Sequence, residues 1–364
     1  MKILRSTKHS LKFCTNNKLK VLEFIRSEYS SVVNQYVDIF WSKFLRKSEL
    51  LKSVLNNVDS WLSQRMKQQA AREAVDMITA SKKRDKDKAV KPTHKGRMQL
   101  TSATCTLLPA KRTKEFDAWL QLRSIGSKMK LDLPIKYHRQ FHKWSKRGKL
   151  LGSFVIGKNY VQISFEVETA QKKDVTNVIG IDTGINCLAS LSTGEQIGKD
   201  TKRLINVIKR RRYGGKGHKR AISTLKSYIS KVAKVITESD ISLIVVENLK
   251  NITKNTKLKG RLSKSMRSSI GKWNVRYWLT RLQQKCEENR VSFRSVSAYY
   301  TSQTCNICGY VDRKNRSGEE FKCLKCNHQT NADVNAAKNI LERFITGRYG
   351  AGYKAETMLL NTIV

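Results

Sequence analysis

Residues 178–184 read Val-Ile-Gly-Ile-Asp-Thr-Gly, a short apolar run that ends in an acid. A run of this kind predicts a buried β-strand, and Asp182 stands at its end. A second apolar run, Ile241–Val246, is followed directly by Glu247. The sequence therefore predicts two buried strands that each end in a carboxylate.

The segments around these two strands predict the order β-β-α-β-α-β, which is typical of an α/β domain. Apolar residues recur at helical spacing before and after the Glu247 strand. The other predicted elements are a strand at Cys187–Leu191, a helix over 218–238, a helix over 268–289 and a strand at Val291–Val296.

A third acid, Asp333, lies in Asn331-Ala332-Asp333-Val334-Asn335-Ala336-Ala337, at the predicted start of a helix. Acids at the ends of neighbouring strands and on an adjoining helix can meet above one sheet edge. Such a cluster of hard oxygen ligands suits Mg²⁺ and phosphoryl transfer. The alternative is that each acid caps a helix or forms a surface salt bridge. In a chain this basic, three acids in such positions favour the metal site.

Four of the eight cysteines form the pattern Cys305-x2-Cys308-x14-Cys323-x2-Cys326. Each Cys-x-x-Cys pair can present two thiolates to one metal, and two pairs make a closed tetrahedral site without an open catalytic position. An iron–sulfur cluster and a redox pair are the alternatives. The spacing favours structural zinc.

The charge of the chain points to a polyanionic partner. Its 364 residues carry 72 Lys and Arg against 29 Asp and Glu, a net charge of +43. This excess excludes an ordinary metabolic enzyme as the default interpretation. Residues 201–237 contain twelve basic residues and no acid, and residues 248–286 contain eleven and no acid. These runs are either solvated helix faces or nucleic-acid contacts, and the lack of interleaved acids favours the contacts.

The N-terminal half predicts helices inside a β-rich domain. Residues 1–13 are strand-like, apolar residues recur at helical spacing over 18–46 and 48–80, and residues 81–97 form a charged linker. Short strands then follow over 98–170, including a hairpin around Gly157-Lys158-Asn159. The helical block is therefore predicted to be an insertion into the β domain.

Several polar side chains are open to two interpretations. Ser63, Gln64, Gln68 and Gln69 lie on one predicted helix, where they either reach base edges or form an exposed helical face. The scattered histidines, such as His138, His142 and His218, are expected to be surface groups or RNA contacts rather than catalytic groups.

Neither an apolar signal segment at the start nor a run of ~20 apolar residues is visible in the sequence. We expect a bacterial cytoplasmic protein with no membrane partner, associated with the nucleoid when bound to DNA. Thiols stay reduced in that compartment, so the clustered cysteines are not expected to form disulfides.

Four motifs together resemble the TnpB family, insertion-sequence proteins related to type V CRISPR effectors. They follow the family's order over roughly residues 178–341. The motifs are Gly180-Ile181-Asp182-Thr183-Gly184, Val246-Glu247-Asn248-Leu249, Thr301-Ser302-Gln303-Thr304-Cys305-Asn306-Ile307-Cys308-Gly309 and Asn331-Ala332-Asp333-Val334-Asn335-Ala336-Ala337-Lys338-Asn339-Ile340.

The resemblance implies an α/β multidomain fold. An RNase-H-like (RuvC) nuclease domain would be interrupted by a four-cysteine zinc ribbon, and a β-barrel-like WED domain would hold an inserted helical REC domain. The corresponding boundaries are 1–15 and 98–174 for WED, 16–97 for REC, 175–300 and 332–364 for RuvC, and 301–331 for the ribbon.

The resemblance also implies an RNA-guided endonuclease that cleaves double-stranded DNA beside a short target-adjacent motif. Asp182, Glu247 and Asp333 match the family's metal-binding acids, with Asp182 bridging two Mg²⁺ ions. The guide RNA would be transcribed from the transposon end, and the expected particle is a monomeric ribonucleoprotein. Structural zinc would be held by Cys305, Cys308, Cys323 and Cys326.

Three other functions remain open on the sequence. A nuclease-inactive, RNA-guided repressor could use the same scaffold, although the intact acids argue against it. A guide-independent transposase also gathers three acids on such a fold. A structural RNA-binding protein would leave the acids unexplained.

Overall fold

The computed structural model describes residues 2–42, 49–50, 52–84, 89–111, 113–124, 129–169, 171–249 and 263–347. The chain divides into two compact units, residues 1–168 and 169–364. Three parts of the chain discussed above lie outside the described residues. They are the predicted end of the first helix at 43–46, the first part of the second acid-free run at 250–262, and the C-terminal stretch 348–364. Within the described part, no helix is long and apolar enough to cross a membrane.

The first unit combines helices with two antiparallel sheets. In chain order its elements are β1 (Lys2–Ser10), α1 (Asn16–Trp41), α2 (Lys52–Leu55), α3 (Gln64–Arg84), β2 (Met98–Thr101), β3 (Cys105–Pro109), β4 (Ala118–Ser124), β5 (Met129–Ile135), α4 (Arg139–Ser145), β6 (Gly148–Ile156) and β7 (Tyr160–Glu168). One sheet has the order β1-β7-β6-β2 and the other β3-β4-β5. The helices α1 to α3 therefore lie in the chain between two strands of one sheet, and the predicted hairpin is confirmed as β6–β7.

The prediction of one long helix over 48–80 is wrong. The chain turns between α2 and α3, where the Ser60 hydroxyl accepts a hydrogen bond from the Leu62 amide at 3.2 Å. The Lys67 ammonium also donates to the Val58 carbonyl at 3.0 Å. These local bonds offer the backbone an alternative to helix, as serine side chains commonly do.

Gln69 neither reaches outward nor forms part of an exposed face. It is buried, and its side-chain amide donates to the Thr101 hydroxyl at 2.7 Å while its carbonyl accepts from the Thr101 amide at 3.3 Å. Gln69 therefore joins α3 to β2, and both interpretations of this residue are wrong.

The second unit is an α/β domain with a small three-stranded sheet inserted before its last helix. Its elements are β8 (Val178–Asp182), β9 (Ala189–Leu191), β10 (Gln196–Ile197), α5 (Thr201–Lys209), α6 (Lys216–Glu238), β11 (Leu243–Glu247), α7 (Lys264–Trp273), α8 (Val275–Asn289), β12 (Ser292–Val296), β13 (Arg316–Ser317), β14 (Glu320–Lys322), β15 (Gln329–Asn331) and α9 (Ala332–Thr346). The main sheet has the order β10-β9-β8-β11-β12, with β8, β11 and β12 parallel.

Helices cover both faces of the main sheet, which explains why its central strands read as continuous apolar runs. In β11, Ile244 and Val246 pack in a core with α5, α6 and α8. Leu243 and Val245 point to the other face, where Ile340 of α9 packs. The predicted α/β fold is confirmed.

The predicted helix over 268–289 is broken at Asn274. This residue has φ +59°, a left-handed conformation that ends α7 before α8 begins. Asparagine tolerates this conformation better than most residues, because its short side chain can bond locally. Neither α5 nor β10 was predicted, because both are short.

Candidate metal centres

The parallel pairing of β8 and β11 brings two of the predicted acids together. Ile181 pairs with Val246 in the register of the two strands. The next residues, Asp182 and Glu247, are therefore neighbours at the carboxyl ends of the two strands. Ligand and catalytic groups commonly gather at this edge of an open α/β sheet.

Helix α9 reaches the same edge because Gly180 leaves room for it. A Cβ atom on Gly180 would lie 2.2 Å from the Ala337 carbonyl oxygen of α9, so only glycine fits this approach. The helix begins at Asn331, whose side chain accepts hydrogen bonds from the amides of Asp333 and Val334 at 3.0 and 3.2 Å. This cap holds Asp333 in the first turn, and Asp333 is buried.

The three carboxylates share one electrostatic environment. Burial raises the pKa of Asp182 well above its ordinary value, and the nearby charges of Glu247 and Asp333 raise it further. Arg316 acts in the opposite direction on the pKa of Asp182. Burial also raises the pKa of Glu247, against the opposing effects of Thr301, Arg343 and Arg316. The site therefore disfavours the ionised forms of Asp182 and Glu247.

Arg316 contacts this cluster, and the sequence did not indicate it as part of the site. Its guanidinium donates to the Asp333 carboxylate at 2.6 Å and to the Gly318 carbonyl at 3.1 Å. Asp333 therefore forms a salt bridge, but a largely buried one rather than the surface salt bridge of the alternative interpretation. Arg316 comes from β13, 17 residues before Asp333, and nothing in a single basic residue of a basic chain marks it in advance.

Thr301 and two asparagines fix the surroundings of the acids. The Thr301 hydroxyl donates to the Glu247 carboxylate. The Asn335 side chain donates to the Thr304 carbonyl at 2.8 Å, and that of Asn339 donates to the carbonyls of Thr301 and Thr304 at 2.8 and 2.7 Å. Asn335 and Asn339 are four residues apart on one face of α9. Their spacing is the signal that could have identified them, since buried amides need fixed partners.

The cysteine cluster is the second candidate centre. In the described part of the chain, it is the one group of three or more His, Cys, Asp or Glu residues whose ligand atoms all lie within 4.8 Å of one another. The Sγ atoms of Cys305 and Cys326 are 3.7 Å apart, and those of Cys308 and Cys323 are 3.5 Å apart. Four sulfurs bound at about 2.3 Å in a tetrahedron lie roughly 3.8 Å apart, so the spacing fits zinc.

The two Cys-x-x-Cys segments fold as matching turns. The Gly309 amide donates to the Cys305 carbonyl at 2.9 Å, and the Asn327 amide donates to the Cys323 carbonyl at 3.0 Å. Gly309 and Asn327 follow their second cysteine with φ +71° and +58°. The sequence marks Gly309 as a knuckle residue, whereas Asn327 takes the equivalent left-handed position in the second knuckle. Thiolate chemistry and geometry both fit a closed zinc site.

The carboxylate cluster fits Mg²⁺ by the chemistry of its donors, which are hard oxygens. Its acids are not gathered as tightly as the cysteines among the described residues, and Arg316 lies against one of them. Burial and the charges of Glu247 and Asp333 disfavour the ionised form of Asp182, and a divalent cation would offset that cost.

The raised pKa of Asp182 predicts a pH-dependent stability. A carboxyl whose folded-state pKa lies above its unfolded value near 3.8 destabilises the fold increasingly as pH rises from about that value. Asp182→Asn should therefore raise the melting temperature of protein without added Mg²⁺ at pH 8, by about 2–4 °C. The gain should vanish as the pH is lowered towards 4. Thermal unfolding followed by circular dichroism measures both.

Asp240→Asn is the matched control for this experiment. Asp240 belongs to the same unit and is fully exposed, so its replacement should change the melting temperature little at either pH. A pH-independent gain for Asp182→Asn would mean that the substitution acts through packing rather than through charge.

Comparison with known proteins identifies relatives. Residues 277–340 match the family model described as the Cas12f1-like TNB domain. The chain is 28% identical over 220 residues to the putative RNA-guided DNA endonuclease InsQ of Escherichia coli (strain K12), covering 51% of this chain and 54% of InsQ. It is 32% identical over 134 residues to a TnpB-like protein of Aquifex aeolicus (strain VF5), covering 36% and 42%. The predicted resemblance to the TnpB family is confirmed. The alignments span about half the length of these TnpB-related proteins.

A solved structure shares the fold. The chain superposes on a Cas12f1 chain from a Cas12f1–sgRNA–target DNA complex with a TM-score of 0.56 and 15% identity. The superposition covers 93% of this chain and 98% of that chain. At this identity the likeness establishes the fold, and the superposition includes both units of the chain.

Proposed function

We propose that this chain is an RNA-guided endonuclease that hydrolyses phosphodiester bonds of double-stranded DNA beside a short target-adjacent motif. The observation that supports this most is the placement of Asp182, Glu247 and Asp333 near one sheet edge, where burial and then the charges of the other two acids raise the pKa of Asp182. InsQ, a relative, is named as a putative RNA-guided DNA endonuclease. The chemistry of the site and the name of the relative agree.

In this proposal Asp182, Glu247 and Asp333 hold Mg²⁺ ions. When bound, the ions would activate water and stabilise the leaving 3′-oxygen. The protein's own groups prepare the site: Thr301 holds the Glu247 carboxylate by a hydrogen bond. Arg316 sets a positive charge next to Asp333, where the phosphate of a substrate strand would add further negative charge.

The partners proposed are a guide RNA from the transposon end and a target DNA duplex, held by a monomeric protein. The net charge of +43 and the two acid-free runs support a polyanionic partner. In such complexes base pairing with the guide supplies sequence specificity, and the protein contacts the backbone.

The proposed domains keep the boundaries drawn from the sequence. Residues 1–15 and 98–174 would be the WED domain, 16–97 the REC domain, 175–300 and 332–364 the RuvC domain and 301–331 the ribbon. The helices α1 to α3 between β1 and β2, and the short sheet β13-β14-β15 before α9, support this division.

The RNA that co-purifies with the protein tests the guided mechanism directly. We expect sequencing to find one discrete RNA species, protected in about equal amount to the protein and derived from the end of the encoding element. A sample treated with ribonuclease should lose binding to a matched target, which is the control. A protein that carries no discrete RNA and joins or cuts transposon ends alone would instead be a guide-independent transposase.

A further inference from the structure

The α/β unit contains a cavity whose lining residues include neither the three acids nor the four clustered cysteines. Its volume is about 450 Å³, within the range of small-ligand sites, about 300–1,000 Å³. Ile208, Ile222 and Leu225 line it with apolar groups. Its polar lining includes Tyr213 and His218.

His218 is a buried member of this lining, although it was expected to be a surface group or an RNA contact. Only 8% of the residue is exposed. Its ring lies 5.1 Å from that of Tyr213, and in the described part of the chain no hydrogen-bond partner serves either ring nitrogen. The ring nitrogens of His218 are therefore available to a ligand in the cavity.

Tyr213 has the opposite character. It is 89% exposed, although a large aromatic ring gains free energy when it is covered. Its ring and that of His218 both line the cavity beside its apolar residues, with the two ring planes tilted by 54°, so the exposed face of Tyr213 is open to stacking. Nucleobases stack on such surfaces in proteins that bind single strands.

The N-terminus of α6 adjoins the same rings. Gly215 stands at its N-cap with no side chain to accept hydrogen bonds, and the first turn contains no acid. Among the described residues, no side chain accepts from the amides of Lys216 and Gly217. Free amides and the helix dipole favour an anion, such as a phosphate, at this position.

Basic and small residues surround this helix end. Arg210, Arg211 and Arg212 precede it, and the Arg211 side chain runs within 3.5 Å of where a Cβ on Gly217 would lie. Gly214 has open space around its Cα and φ +76°. A phosphate can therefore approach the backbone closely.

We propose that this cavity and the adjoining N-terminus of α6 bind one nucleotide of a single-stranded nucleic acid. The base would stack on Tyr213 and accept or donate a hydrogen bond at His218, and its phosphate would bind the amides of the first turn. The proposal relies on the proposed function only in taking nucleic acid as the ligand, and it concerns binding, not cleavage.

Photocrosslinking of the full-length protein tests the base site. The probes are single-stranded decamers of RNA or DNA that carry one 5-iodouracil, a base that crosslinks to stacked aromatic side chains, and the crosslinked peptide is mapped by mass spectrometry. We expect a crosslink at Tyr213 or His218. Tyr213→Leu should reduce the yield at this peptide about tenfold, whereas Tyr213→Phe should keep it. The probe that gives the higher crosslink yield, RNA or DNA, identifies which kind of single strand binds here.

Lys231→Ala is the control for the loss of one basic side chain, because Lys231 is an exposed basic residue on the same helix. It should leave the yield at Tyr213 unchanged. Crosslinks that map only outside residues 210–218 would overturn the proposal, as would a Phe variant that loses as much as the Leu variant.

The phosphate site is tested by Gly215→Asp against Gly215→Asn. Both side chains can cap α6 and preserve the fold, but only Asp places a negative charge where the phosphate would bind. We expect Asp to lower the crosslink yield several-fold below that of Asn. Ser223→Asp adds the same charge at an exposed position of α6 and should have little effect. Equal yields for the Asp and Asn variants of Gly215 would exclude a phosphate at this helix end.

Discussion

Asp182→Ala should abolish Mg²⁺-dependent cleavage of guide-matched DNA, lowering the rate by roughly 10³-fold or more, as for residues that act as one catalytic unit. The carboxylate lies beside Glu247 at the end of paired strands, so its loss would remove a ligand shared by the whole site. Binding of RNA and target should stay nearly intact, because guide pairing and basic contacts hold the complex. Cleavage of a labelled duplex and a gel-shift assay on the same samples measure the two effects.

Glu247→Ala and Asp333→Ala should behave in the same way as Asp182→Ala. Double variants should be no worse than single ones, since each change already empties part of one site. Asp240→Ala, an exposed acid of the same unit, is the control and should cut at the wild-type rate.

Two outcomes would contradict the proposed activity in different ways. If the wild type with its own RNA binds a matched target but does not cut it in Mg²⁺ or Mn²⁺, the chain is a guided repressor. If Asp182→Ala cuts as fast as the wild type, the catalytic site lies elsewhere in the chain.

The sheet edge was predictable because its signals are local. An apolar run that ends in an acid is visible in seven residues, and the register that joins Asp182 to Glu247 follows from parallel pairing of two such runs. Gly180 was visible as part of a motif, but the sequence did not show why a glycine is needed there. A glycine is needed because the Ala337 carbonyl of α9, from a distant part of the chain, packs against it.

The polar surroundings of the acids were not predictable either, because they also depend on contacts between distant parts of the chain. Arg316 contacts Asp333 only because the ribbon folds back towards α9. The chain contains 72 Lys and Arg residues, so a single arginine does not stand out in the sequence. His218 was expected to be a surface group or an RNA contact. It is not a surface group, because it is buried in the first turn of α6.

The predicted helix boundaries are wrong where side chains or backbone conformation interrupt the helix locally. The apolar spacing over 48–80 and 268–289 continues through the breaks, so periodicity alone joins the pieces. The Ser60 hydroxyl and the left-handed Asn274 interrupt the helices locally. Both residue types favour turns and helix ends, and this preference is the signal that would have placed the breaks.

Removal of the zinc should unfold the ribbon and thereby disable the acid site. The ribbon core consists of little more than Cys305, Phe321, Cys323 and Ala332, and domains this small need a metal or a disulfide to fold. Zinc binding by four thiolates contributes about 10–16 kcal/mol to such modules. We therefore expect one zinc per chain by elemental analysis, and none in Cys305→Ser.

The loss should spread from the ribbon to the carboxylates, because ribbon residues hold them. Arg316 lies on the ribbon sheet and donates to Asp333, and Ala332 donates its amide to the Glu319 carbonyl at 2.8 Å. Without zinc these contacts lose their support, so Cys305→Ser should become sensitive to proteolysis within 305–326 and should lose DNA cleavage. Cys14→Ser, which changes a half-buried free cysteine of the other unit, should keep its zinc, its protease resistance and its activity. Iron in place of zinc would contradict the zinc site. A Cys305→Ser protein that stays protease-resistant and active would show that the thiolates do not organise the acid site.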